Sequence, residues 1–279
     1  MGISKSLVEH MDLEAEYNNR ARVPEHVEIL VSLKQQAEHY RSCAGGEYDL
    51  SYGDDERHKI DIFRSKDDTA QSMMVFVHGG YWQSLDKNSF SHLARGLAVH
   101  GVATAMPSYR LCPNVSVADI IEDVRQVCIW LWNRHKRHLV VAGHSAGGHL
   151  AAAMLATDWE AYGAPDDLVR AGFGISGVYD LRPLIPTSLN KALKLNDASA
   201  IADSPLLWPA PAGSCFEAWV GADESAEFLR QSKTLAACWT GSGARTKYVE
   251  LTGTNHFTVI DPLGDPASQM TQDLACLCQ

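Results

Sequence analysis

The chain has 279 residues, 46% of them hydrophobic, and a formal net charge of −10. That length and composition can bury a large core, and the negative balance argues against nucleic acid or an anionic membrane as partner without identifying a substrate; the small-molecule partner expected here rests on motifs further along the chain. Seven cysteines, an odd number with no zinc-type CxxC pair, point to reduced thiols in a cytoplasmic protein, with neither metal nor cofactor expected.

Residues Met1 to His10 lack the apolar stretch of a signal peptide, and no segment is apolar enough to cross a bilayer. From Ser6 to Arg41 the chain is charged, with Leu7, Met11, Val27, Leu30, Val31 and Leu33 at helical spacing and Pro24 opening a second helix. Apolar residues on these helices could serve a homodimer. Glu47 to Tyr52 and His58 to Phe63 then read as two strands joined by the polar turn Gly53-Asp54-Asp55.

Beyond them, buried strands alternate with helices. The strands are Met73 to Val77, Gly101 to Met106, Leu139 to Ala142, Ala171 to Ile175, Phe216 to Val220 and Lys247 to Leu251. The helices between and after them are Lys87 to Val99, Val117 to Arg134, Gly147 to Ala156, Ser225 to Trp239 and Pro266 to Leu277. Such alternation means parallel strands with right-handed crossovers, here a mixed eight-stranded α/β sheet flanked by helices. No linker, repeat or charge run divides residues 1–279, so one domain is expected, with a helical region over 1–45. The Pro- and Leu-rich stretch 179–211 breaks the alternation and reads as a cap-like excursion above the sheet.

Gly143-His144-Ser145-Ala146-Gly147 sits between the strand ending at Ala142 and a small-residue helix. Strand, sharp turn and helix with a serine at the apex is a nucleophile elbow, and the flanking glycines let strand and helix pass closely. Oxyanion donors are expected from His78-Gly79-Gly80-Tyr81-Trp82, directly after the first buried strand: the N–H groups of Gly79 and Gly80, joined by that of Ala146. Tyr81 and Trp82 are candidates for contact with substrate, with core packing as the competing role. The base is expected in a loop after the last strand, where His256 is the sole histidine beyond His149. The acid is expected after the preceding strand, where Gly221-Ala222-Asp223-Glu224-Ser225 offers two carboxylates. Aspartate is the commoner triad acid, which favours Asp223, whereas the spacing of three residues from the glycine favours Glu224, the preferred choice. His78 is expected to brace the oxyanion loop, and His144 and His149 to pack or hydrogen-bond.

Taken together, these motifs resemble the kynurenine formamidase branch of the α/β-hydrolases. The likeness extends over Tyr17-Asn18-Asn19-Arg20-Ala21-Arg22-Val23-Pro24, Ile175-Ser176-Gly177-Val178-Tyr179-Asp180-Leu181, Glu224-Ser225-Ala226-Glu227-Phe228 and Asn255-His256-Phe257. The serine and His-Gly-Gly motifs are shared with hormone-sensitive-lipase-like esterases. The resemblance also aligns the acid with Glu224. It implies hydrolysis of N-formyl-L-kynurenine to formate and L-kynurenine, in tryptophan breakdown, by a Ser145, Glu224, His256 triad. Competing readings are a carboxylesterase or amidase for another small acyl compound, and a non-catalytic binding protein of the same fold.

Overall fold

A computed structural model describes residues 12–279. Leu7 and Met11 of the expected first helix lie outside the described residues. Two short turns of helix (Leu13–Tyr17 and Asn19–Arg22) precede α1 (His26–Cys43), which begins two residues after Pro24. Helix α1 buries Leu33 and Ala37 and leaves Val27 and Val31 exposed one turn apart.

Eight strands follow: β1 (Gly46–Ser51), β2 (Lys59–Phe63), β3 (Ser72–Val77), β4 (Thr104–Pro107), β5 (His138–His144), β6 (Val169–Ile175), β7 (Cys215–Gly221) and β8 (Arg245–Leu251). They form one sheet in the order β1-β2-β4-β3-β5-β6-β7-β8. The pairs β1–β2 and β2–β4 are antiparallel and all the others parallel. Between and after the later strands lie α2 (Ala94–Val99), α3 (Val117–His135), α4 (Ala146–Leu155), α5 (Ala226–Gly241) and α6 (Gln269–Cys278).

The central strands are apolar on both faces because helices cover both. On β3, Met73, Val75 and Val77 join one core with Val124 of α3 and Leu150 of α4. Met74 and Phe76 join a second core with Leu97 of α2 and Leu274 of α6. Each such fully buried side chain contributes about 1.5–3 kcal/mol of apolar transfer. Helix α3 starts at a capping box, in which the Ser116 hydroxyl accepts from the Asp119 N–H and the Asp119 carboxylate from the Ser116 N–H.

Three expected elements differ. Lys87 to Val99 begins as a 3-10 segment, Lys87–Leu93, because Asn88, Ser89 and Ser91 are weak helix formers. The strand expected from Gly101 starts at Thr104, since Gly101 takes φ +74° in the preceding turn. The last strand, β8, is a half-exposed edge rather than a buried one.

The topology fixes where chemistry can occur. From β3 the chain crosses to β4 on one side, then returns to β5 on the other, so the strand order reverses at β3. A crevice opens at such a reversal, at the carboxyl ends of the parallel strands. The loops after β3, β5, β7 and β8 all emerge at that rim.

Candidate active site

Ser145 follows β5 directly, with φ +56° and ψ −117°, a strained conformation that costs about 1–3 kcal/mol. The surroundings hold it there. Its N–H donates to the Ile175 carbonyl of β6 at 2.8 Å, and its carbonyl accepts from Gly148 at 2.9 Å as α4 begins. Side chains at 143 and 147 have no room: a Cβ on Gly143 would strike the Gly147 backbone, and one on Gly147 the Val77 carbonyl.

His256 comes from the loop after β8. Its Nε2 stands 3.1 Å from the Ser145 hydroxyl, which donates to it, and its Nδ1–H donates to Glu224 Oε2 at 2.7 Å. The ring lies between Phe228 at 4.5 Å and His144 at 4.7 Å, centroid to centroid. Glu224 is buried and fully engaged: its other oxygen accepts from the Gly221 N–H at 2.8 Å and from the Ser176 hydroxyl. Asp223 is exposed, with its backbone N–H on the Thr254 carbonyl. Of the two acids weighed from sequence, the structure thus brings Glu224 to the histidine and turns Asp223 to solvent.

Among the described residues, nothing accepts from the N–H groups of Gly79, Gly80 or Ala146. Their direction is set from behind. The Tyr109 hydroxyl donates to the His78 carbonyl at 2.9 Å, with the Gly79 carbonyl 3.4 Å away, and His78 Nδ1 donates to the Gly79 carbonyl at 2.8 Å. In a trans peptide the N–H opposes the C=O, so tying down these two carbonyls aims the Gly79 and Gly80 N–H groups the other way. Burial lowers the His78 imidazole to about 4, and its ring stacks on Tyr109 at 4.3 Å. Replacing Tyr109 by phenylalanine is therefore expected to lower kcat about tenfold or more with little change in KM, measured by steady-state kinetics.

A cavity of about 380 Å³ opens onto Ser145 and His256, a size suited to a small molecule. Its walls include Gly80, Tyr81, Gln83, Leu85 and Phe90 from the region after β3, and Thr187, Ser188 and Leu189 from the excursion over 179–211. Glu14, Tyr17, Asn18, Asn19, Arg20 and Leu33 close the remaining side. Tyr81 lines the cavity at φ +50°, with its hydroxyl donating to the Tyr17 carbonyl at 2.7 Å and accepting from Asn19 at 3.2 Å. Trp82 corrects an expectation. It is 0% exposed, it does not line the cavity, and its ring meets His149 edge-on at 5.0 Å. Its side chain packs into the core beneath the loop, so it supports the site rather than lining it.

Ser176, Tyr109 and the Tyr17–Arg20 segment join the site without a motif that marks them for it. Ser176 was visible only as part of a family-like stretch, yet it takes φ +51° at the end of β6 and donates to the acid. The N-terminal segment is tied in by the Tyr17 hydroxyl, which donates to Glu227 at 2.7 Å. Among the described residues no group of three or more His, Cys, Asp or Glu could hold a metal ion, and no helix is long and apolar enough to cross a membrane.

Residues 74–260 match the profile of the alpha/beta hydrolase fold family, and the chain is a hydrolase of that fold. Kynurenine formamidases of Danio rerio and Salmo salar are 29% and 30% identical to it over 249 and 252 residues, covering 86% and 87% of this chain and 85% of each relative. A solved structure of a candidate thioesterase from Silicibacter sp. TM1040 is 38% identical, with a TM-score of 0.84 over 96% of this chain and 99% of its own. The chain belongs to the kynurenine formamidase-like branch of the α/β-hydrolase fold family.

Proposed function

We propose that this chain hydrolyses N-formylated aromatic amines, N-formyl-L-kynurenine foremost, to formate and the free arylamine, as a step in tryptophan breakdown. The observation that carries this reading is the unbroken line Ser145, His256, Glu224 at the cavity, in a member of the formamidase branch. His256 takes the Ser145 proton as the hydroxyl oxygen attacks the formyl carbon. Glu224 offsets the charge on the resulting imidazolium and fixes its tautomer. The N–H groups of Gly79, Gly80 and Ala146 hold the oxyanion, each worth about 3–4 kcal/mol. The C–N bond breaks as His256 returns the proton to nitrogen, and the arylamine leaves. Water, deprotonated by His256, then attacks the formyl ester on Ser145, and His256 passes that proton to the Ser145 oxygen as the ester bond breaks and formate leaves.

An anilide nitrogen leaves more readily than an alkyl amine, which suits this donor set. The expected result is release of formate from N-formylkynurenine at a kcat/KM above that for short p-nitrophenyl esters. Ester turnover without formamide turnover would overturn the substrate while leaving a serine hydrolase. The likeness to the candidate thioesterase favours a second reading, hydrolysis of an acyl thioester, which the same assay with short thioesters distinguishes.

A further inference from the structure

We infer that His144 is a specificity-determining residue, whose Nδ1 accepts a hydrogen bond from the N–H of the scissile amide and so favours amides over esters at Ser145. This rests on the serine-hydrolase reading above. His144 Nε2 stands 2.8 Å from the His256 carbonyl oxygen. A carbonyl only accepts, so Nε2 carries the hydrogen. Burial, and then the neighbouring His256, hold the imidazole well below its ordinary pKa. The ring is therefore neutral and Nδ1 presents a bare lone pair.

Among the described residues, none donates to that lone pair. Nor is it sealed away as the partnerless Nδ1 of His149 is, because His144 lines the cavity beside Ser145 and His256. A Cβ built on Gly79 would stand 3.2 Å from His144 Nδ1 and 3.0 Å from the Ser145 Cβ. Nδ1 thus lies beside the oxyanion loop, on the side of Gly79 that also faces Ser145.

The chemistry gives it a task. When Ser145 Oγ bonds to the acyl carbon, the amide nitrogen becomes pyramidal and gains a free electron pair. That pair must face His256 Nε2–H to take the proton that lets the C–N bond break. The hydrogen already on nitrogen then points away from His256, and an acceptor waiting there stabilises this arrangement. An ester oxygen carries no hydrogen and gains nothing from it. One such bond, made only as the reaction proceeds, corresponds to about a tenfold effect on rate.

The test compares kcat/KM for formanilide and phenyl formate, which share acyl group and ring, in two variants. In His144→Gln the side-chain N–H can still reach the His256 carbonyl but no acceptor remains at the δ position. In His144→Asn the reverse holds. The ratio of amide to ester turnover does not depend on how much of a variant is folded. It is expected to fall about tenfold or more in the glutamine variant and to stay within about threefold of the native value in the asparagine variant. A ratio unmoved by His144→Gln, or lowered equally by both, overturns the proposal. Should neither variant fold, the native enzyme is offered N-methylformanilide, with rates scaled to hydrolysis by hydroxide. A loss of about tenfold or more against formanilide is expected, and equal scaled rates overturn the proposal. A native enzyme that cleaves neither formanilide nor phenyl formate would instead overturn the arylformamide reading on which the proposal rests.

Discussion

Replacing Ser145 by alanine is expected to lower kcat on any substrate of this enzyme by about six powers of ten, with the melting temperature nearly unchanged. The hydroxyl makes one side-chain hydrogen bond, to His256, and its removal leaves every backbone tie of the elbow in place. Alanine carries the same Cβ, so the strained φ of +56° is no worse for it. The residual rate would come from the oxyanion donors and from binding alone, which hold about 10³–10⁴ over water in comparable sites. Steady-state kinetics together with a thermal melt check both halves. Retention of more than about a hundredth of native kcat would place the nucleophile elsewhere.

The second large effect separates two neighbouring acids. Glu224→Gln is expected to cost about 10³–10⁴ in kcat, because an amide can present its N–H to His256 Nδ1 and hold the wrong imidazole tautomer. Asp223→Asn is expected to change kcat by less than about threefold, since an exposed carboxylate gains little from its surroundings. Glu224 is also where the network is densest, accepting from His256, Ser176 and Gly221 together. Losing its charge therefore leaves three buried donors with a poorer partner. Kinetics on the two purified variants decide the matter, and a greater loss from Asp223→Asn would reverse the assignment.

The chain order of serine, acid and histidine was legible because each lies just beyond a strand whose apolar run marks it. Buried parallel strands must be apolar on both faces, which is why β3, β5, β6 and β7 stood out so plainly. Glu224 was favoured over Asp223 by its spacing from Gly221, and a Cβ on that glycine would approach Glu224 Oε1 to 3.0 Å. What stayed hidden depends on contacts between distant segments. Nothing near Trp82 in sequence says that its ring turns inward while Tyr81, one residue earlier, turns to the cavity; both take positive φ, which side-chain type does not reveal. The wall built by Tyr17 and Asn19 arises from bonds to Tyr81, more than sixty residues away. Tyr109 follows β4 on the far side of β3 from the elbow, and only the folded register brings its hydroxyl under the His78 and Gly79 carbonyls.

Covalent trapping reaches the centre of this account most directly. The native protein is treated with a fluorophosphonate, digested, and its peptides read by mass spectrometry, alongside a His256→Ala variant. A single adduct on Ser145 in the native protein, formed at a rate that collapses in the variant, is the predicted result. Folded native protein that leaves Ser145 unmodified, or a His256→Ala variant labelled as fast as native, would contradict it.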